Sequence, residues 1–171
     1  MSRAPDPPLD ALDLAVASAT VERRFRLADF ARLADRLATP EGVARAQLAF
    51  ASAGGVPTGE LRVQAEAVLV CQRCLGPLRR TLESSSQLAF VPREDTAVPA
   101  DYEAIAGDPE RIDLAALVED ELLLSLPLIV THGPGEECRL PASSVISDAD
   151  AGPRAQDRLR PFAGLRDLLK H

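Results

Sequence analysis

An alternation of apolar and polar residues that is strict between positions 60 and 67 constrains the fold of this chain more than any other feature. Its apolar positions are Leu61, Val63, Ala65, Ala67 and Leu69. Successive side chains of a β-strand point to opposite faces, so the pattern predicts a strand with one buried face. Residues 44–50 and 80–91 alternate in the same way, and residues 21–26 do so weakly. Sequential strands joined by short turns predict an antiparallel meander.

Two segments with helical periodicity flank this predicted sheet. The apolar residues of 27–38 recur on one helical stripe. Thr39-Pro40 closes that helix, because the residue before a proline disfavours the α conformation. Asp113 is a good N-cap for a second helix over 113–125. We therefore predict a single α+β domain in which both helices pack on an antiparallel sheet.

The rest of the chain is predicted to be less regular, since it is rich in proline, glycine and charge. We expect residues 1–20 to be a loosely ordered N-terminal segment before a core domain over 21–132. Within that core, the acidic and Pro/Gly-punctuated residues 92–112 predict a surface loop. Residues 133–158 are expected to form an irregular loop or linker. A short amphipathic helix is expected over 159–171, which completes a partly irregular C-terminal tail.

The charge distribution limits the classes of function. The net charge is −7, whereas nucleic-acid affinity is carried by Lys and Arg. Residues 22–93 nevertheless hold 11 Arg against 7 Asp and Glu, while residues 94–171 hold 7 basic against 16 acidic residues. Two interpretations remain open. Either these charges only solvate two faces, or the first half carries a basic docking surface.

Several activities and locations find no support in the sequence. No apolar run approaches the roughly 20 residues that cross a bilayer. Three cysteines cannot all pair in a secreted disulfide framework. A phosphate-binding glycine loop, a nucleophile elbow and a metalloprotease motif are also absent from the sequence. We therefore expect a cytoplasmic protein that is not an enzyme, with no membrane contact and no small-molecule substrate.

The cysteines give the strongest indication of a specific site. Cys71 and Cys74 stand three positions apart in a turn between two predicted strands, followed by Gly and Pro. His132 and Cys138 are the candidates for the second pair of ligands that a closed zinc site needs. The strand context is unfavourable for redox motifs of the thioredoxin type, which open a helix. Bound zinc, free buried thiols and thiol–disulfide exchange all remain open.

Three arginines beside the cysteine turn are candidates for contact with a partner. Arg73, Arg79 and Arg80 form a small positive patch around the turn. Arginine suits bidentate contacts with phosphate or carboxylate groups. Aromatic residues are not interleaved with them, so stacking on unpaired bases is not supported.

Three consecutive carboxylates of the second predicted helix are further candidates for partner contacts. Adjacent helical residues point about 100° apart, so they do not converge on one substrate atom. Glu119 and Asp120 are interpreted as a solvated acidic face. Glu121 falls within the apolar stripe, where a carboxylate needs a partner. We predict that this partner is an arginine of the strand region, with Arg73 the first choice.

Two segments together resemble the YceD family, the large ribosomal RNA subunit accumulation proteins. One is the Cys71-x-x-Cys74 motif after a strand. The other is the Val-Glu-Asp-Glu-Leu segment of the second helix, which leads to His132 and Cys138. The Pro-Phe-Ala run at 161–163 is similar to the ending of that family. The motif positions that the resemblance would transfer to this chain are Cys71, Arg73, Cys74, Glu119, Asp120, Glu121, His132 and Cys138.

The resemblance implies a non-enzymatic bacterial factor that supports the synthesis, processing or stability of large-subunit (23S) ribosomal RNA. Its partner would be ribosomal RNA, a ribosomal protein or a pre-ribosomal particle. Two other classes compete with this ribosome-biogenesis role. One is a thiol–disulfide oxidoreductase that uses Cys71 and Cys74, and the other is a zinc-binding regulatory adaptor.

Overall fold

The computed structural model describes residues 6–133, 136 and 138, which all lie in one compact unit. Its helices are α1 (Ala11–Val16), α2 (Ala31–Ala34) and α3 (Leu114–Leu124), and a 3-10 turn covers Leu27–Asp29. Its strands are β1 (Thr20–Arg26), β2 (Leu37–Thr39), β3 (Val43–Ala53), β4 (Val56–Val70), β5 (Pro77–Val91) and β6 (Glu103–Ala106). A single α+β domain is therefore confirmed. Among the described residues, no helix is both long and apolar enough to span a bilayer.

The six strands form one sheet in the order β1-β3-β4-β5-β6, with β2 paired to β4. Strands β3, β4 and β5 form the predicted antiparallel meander. Gly54 and Gly55, both at positive φ, connect β3 to β4 in two residues. Such a turn matches the twist of the paired strands and suits glycine. The strand β4 therefore begins at Val56, earlier than the alternation alone indicates.

The apolar positions of β4 all face the core, as the alternation predicts. Each of these five side chains is at most 3% exposed. Helices α1 and α3 contact the sheet, and Val118 and Leu122 of α3 are fully buried. The polar positions of the central strands lie on the opposite face, so the sheet has one apolar and one polar surface.

The sheet is not purely antiparallel, which corrects one expectation. Strand β6 pairs in parallel with Leu88–Val91 of β5, in a stretch that was expected to be a loop. A four-residue strand is too short to show a clear alternation, and its acidic, Pro/Gly-punctuated surroundings are typical of loops. The pairing with β5 therefore comes from tertiary contacts.

The helix predicted over 27–38 is wrong. Phe30 has extended backbone angles (φ −95°, ψ 97°), which separates the 3-10 turn from the short helix α2. The last part of the predicted helix, Leu37–Thr39, is instead the strand β2, which pairs with β4. Of the predicted stripe, Leu27 and Phe30 lie in the core, whereas Ala31 is exposed. The buried Leu33 lies outside that stripe.

The N-terminal segment is more ordered than we expected. Leu9 and Ile112 exchange two backbone hydrogen bonds, of 2.9 and 2.8 Å. Asp10 caps α1 by accepting the backbone N–H groups of the second and third helical residues. The expectation of a loose segment over 1–20 is therefore wrong for the part from Leu9 onward. The helix predicted over 159–171 lies outside the described residues, as does nearly all of the predicted linker over 133–158.

Candidate metal centre

The first half of the candidate site is the turn between β4 and β5. The Cys71 N–H donates to the Gly76 carbonyl at 2.9 Å, and the Leu75 N–H donates to the Cys71 carbonyl at 2.9 Å. Leu75 adopts a left-handed conformation (φ 60°), which turns the chain back toward β5. Gly76 packs beside the Cys74 sulfur, since a Cβ atom at this position would lie 3.4 Å from it. The turn therefore presents both sulfurs at one end of the sheet.

The second half is the segment after α3, which is tied to this turn by hydrogen bonds. The Gln72 N–H donates to the Val130 carbonyl at 2.8 Å. Arg80 donates to the Thr131 carbonyl at 3.1 Å and pairs with Glu136 at 3.3 Å. These bonds fix the chain on both sides of His132 against the turn.

The four predicted ligands converge on one point. Every pair of their ligand atoms lies within 4.8 Å. The Cys71 and Cys138 sulfurs are 3.9 Å apart, and the Cys74 sulfur lies 3.5 Å from Nδ1 of His132. Tetrahedral zinc with ordinary bond lengths requires about 3.8 Å between two sulfurs and about 3.6 Å between sulfur and nitrogen. The donor set therefore fits a four-coordinate ion, and all three thiols are free.

The environment of Cys71 favours its thiolate form. Burial raises the pKa of the Cys71 thiol. The backbone N–H groups of Cys74, Arg73 and His132, together with the His132 side chain, lower this pKa by a larger amount, so that the net value is about 5. The thiolate is the form of cysteine that binds metals. Cys71 is also fully buried, so this sulfur faces the interior of the site.

The other two sulfurs are in different environments. The Gly76 N–H lowers the pKa of Cys74, but burial and the neighbouring thiols of Cys138 and Cys71 raise it by more. Arg73 donates from Nε to the Cys138 sulfur at 3.0 Å, and this hydrogen bond raises the pKa of the guanidinium. The three thiols thus compete for negative charge, and Arg73 supplies one compensating positive charge.

The arginine patch divides into different roles. Arg73 lies in the site, and Arg80 holds the segment that carries His132. Arg79 is exposed on β5 and pairs in register with Val68 of β4. The three arginines therefore do not form one free surface.

The predicted pairing of Glu121 with Arg73 is wrong. The buried Glu121 carboxylate accepts hydrogen bonds from the hydroxyls of Ser84 and Ser86, the latter at 2.8 Å. Both serines occupy inward positions of β5 between apolar neighbours. That placement is a signal in the sequence for a buried polar partner, and it was missed.

Glu119 is not part of a solvated face, contrary to expectation. Its carboxylate accepts the backbone N–H groups of Arg32 and Leu33 at 2.7 and 3.3 Å, and its side chain is 12% exposed. Arg32 also pairs with Asp120, which is far more exposed. The acidic pair of α3 therefore binds the N-terminal end of α2, at a place separate from the cysteine turn.

A second feature is a groove of about 860 Å³ on the polar face of the sheet. Its charged lining residues are Glu22, Arg23, Arg24, Arg45, Arg62 and Glu83. Two of these arginines pair with the carboxylates of Asp6 and Glu60. Once those carboxylates are included, positive and negative charges in and around the groove are equal in number.

Fold and site together define a small α+β protein that brings its three cysteines and His132 into one thiol–imidazole centre at the end of its sheet. A family model described as "Large ribosomal RNA subunit accumulation protein YceD" matches residues 59–169, which include both halves of that centre. The chain belongs to the YceD family.

A curated relative supports this membership. The chain is 36% identical over 110 residues to the large ribosomal RNA subunit accumulation protein YceD of Haemophilus influenzae. The matched region covers 63% of this chain and 62% of that relative, so it spans less than two thirds of the relative's length. No solved structure matches the chain.

Proposed function

We propose that this chain is a non-enzymatic factor in ribosome biogenesis that supports the accumulation of large-subunit ribosomal RNA. The observation that carries the proposal is the family match over residues 59–169, together with the printed name of the Haemophilus influenzae relative. A cytoplasmic location follows from such a role.

The geometry of the centre supports binding over catalysis. Catalytic zinc sites keep one coordination position open for water or substrate, whereas structural sites are closed by four protein ligands. Here four side chains supply four ligand atoms. The Cys71 thiol is fully buried, and thiol–disulfide exchange requires a partner to reach the attacking sulfur. The burial of Cys71 argues against its use as the attacking thiol of an oxidoreductase, whereas Cys74 and Cys138 are partly exposed.

The charges favour a basic protein as the direct partner over RNA. The described residues hold 12 arginines against 21 carboxylates. At least six of these arginines form ion pairs with carboxylates, namely Arg23, Arg26, Arg32, Arg62, Arg80 and Arg93. RNA affinity depends on arginines that are available to phosphates. The net charge of −7 instead favours a positively charged protein and would steer its association.

The cellular role is tested by deleting the gene in the cells that encode this chain. We expect the ratio of 23S to 16S ribosomal RNA to fall and the large subunit to be depleted in sedimentation profiles. Expression of the intact chain should restore both. An unchanged ratio would contradict the proposal and favour a regulatory adaptor without a ribosomal role.

The partner class is tested with purified components. We expect the chain to bind basic proteins extracted from the large subunit, and this binding to weaken as salt is raised. We expect no comparable binding to protein-free 23S RNA. Tight binding to that RNA with a steep salt dependence would contradict the protein-mediated route.

A further inference from the structure

We propose that Cys71, Cys74, His132 and Cys138 bind one zinc ion in a closed tetrahedral site. Three sulfurs and one imidazole nitrogen form one of the donor sets of structural zinc sites. The names of the family and of its relative describe ribosomal RNA accumulation and assign no metal. The proposal does not depend on the ribosomal role.

The arrangement of the sulfurs is that of a metal site. A disulfide requires the sulfurs to be about 2.05 Å apart, whereas those of Cys71 and Cys138 are 3.9 Å apart. The Cys74 and His132 atoms are 3.5 Å apart although these residues are separated by 58 positions in the chain. Calcium and magnesium prefer oxygen ligands, so the soft donors select zinc or a related transition metal.

The groups around the ligands complete such a site. Three thiolates and one Zn²⁺ carry a net charge of −1, and the Arg73 guanidinium beside the Cys138 sulfur brings the sum to zero. Such outer contacts orient ligands and raise metal affinity. Arg73 is therefore a positioning residue of the site.

The ion would add a direct link between two parts of the chain that are otherwise joined by a few hydrogen bonds and one ion pair. Cys71 and Cys74 belong to the turn between β4 and β5, whereas His132 and Cys138 follow α3. Bound zinc would thus strengthen the attachment of the segment after α3 to the end of the sheet. The site then acts in folding and shape, since a structural zinc contributes directly to folding free energy.

The first test is the metal content of the full-length protein purified without added metal. We expect about one zinc per chain. Replacement by Co²⁺ should produce sulfur-to-cobalt charge-transfer absorption and the intense visible bands of a tetrahedral ion. Protein that holds no zinc, or whose Co²⁺ spectrum indicates oxygen ligands, would overturn the proposal. These measurements use the native chain and do not depend on any variant folding.

Two matched pairs of variants assign the ligands and the positioning residue. We expect His132→Ala to lose zinc, whereas His171→Ala, which changes the other histidine of the chain, should retain it. Arg73→Gln should retain the ion but bind it about tenfold more weakly in chelator competition. Arg79→Gln, an exposed arginine near the same turn, should bind it normally. Equal zinc content in both histidine variants would overturn the assignment of His132, and equal affinity in both arginine variants would overturn the role of Arg73.

Discussion

Glu119 should stabilise this protein much more than its neighbour Asp120, although both pair with the same arginine. Phe30 is the N-cap residue of α2, but its side chain has no acceptor for the N–H groups of the first turn. Glu119 reaches across from α3 and accepts the N–H groups of Arg32 and Leu33. It therefore caps a helix that is distant in sequence.

The magnitude follows from the groups that Glu119→Ala would leave without a partner. Loss of an N-cap acceptor costs about 0.5–2 kcal/mol. A hydrogen bond to a charged group contributes about 1.5–3 kcal/mol, and the N–H of Leu33 is only partly buried. We expect Glu119→Ala to reduce the free energy of unfolding by about 2 kcal/mol.

The assay is urea unfolding with Asp120→Ala as the matched control. Asp120 contacts Arg32 at 2.6 Å, but its side chain is 54% exposed, against 12% for Glu119. Exposed ion pairs contribute little, so we expect no measurable change in the control. Glu119→Gln retains an acceptor and should fall between the two. Equal shifts in Glu119→Ala and Asp120→Ala would refute the capping argument.

Three further predictions concern stability. Glu121→Ala should cost about 1–3 kcal/mol in urea unfolding, because it removes the acceptor of two partly buried serine hydroxyls. Combining it with Ser86→Ala should cost less than the sum of the two changes. Gly42→Ala should destabilise the protein by about 1–3 kcal/mol, since Gly42 has φ +125° and a Cβ would lie 2.8 Å from a carbonyl oxygen of β4. In Gly55→Ala the new Cβ would meet open space at φ +80°, so this control should lose less free energy of unfolding. Equal urea midpoints for the two glycine variants would contradict this explanation. A strong zinc chelator at neutral pH should lower the melting temperature, and added zinc should restore it; an unchanged melting curve would contradict a metal that stabilises the fold.

The features that could be predicted from the sequence are those set by local periodicity and residue type. Strands β3 to β5 follow from alternation, and the helix α3 follows from its stripe and from Asp113. The choice of Cys71, Cys74, His132 and Cys138 as one candidate group followed from the ligand types and from the turn that carries two of them. Long-range structure was needed to bring the two pairs together.

The features that were missed depend on tertiary contacts. Strand β6 exists because β5 offers an edge, and the break at Phe30 has no signal in the apolar stripe. The partner of Glu121 was assigned to an arginine because opposite charges attract, whereas the structure places two serine hydroxyls there. Charge alone could not show that Glu119 faces the backbone of another helix.

Cross-linking in the cells that encode this chain tests the protein-mediated ribosomal role most directly, with the adducts separated into protein and RNA. We predict adducts with basic proteins of the maturing large subunit and only background levels on RNA. Strong adducts between 23S RNA and the groove of the sheet, for example at Arg45, would contradict the protein-mediated route. Adducts with no ribosomal component at all would contradict the ribosomal role itself.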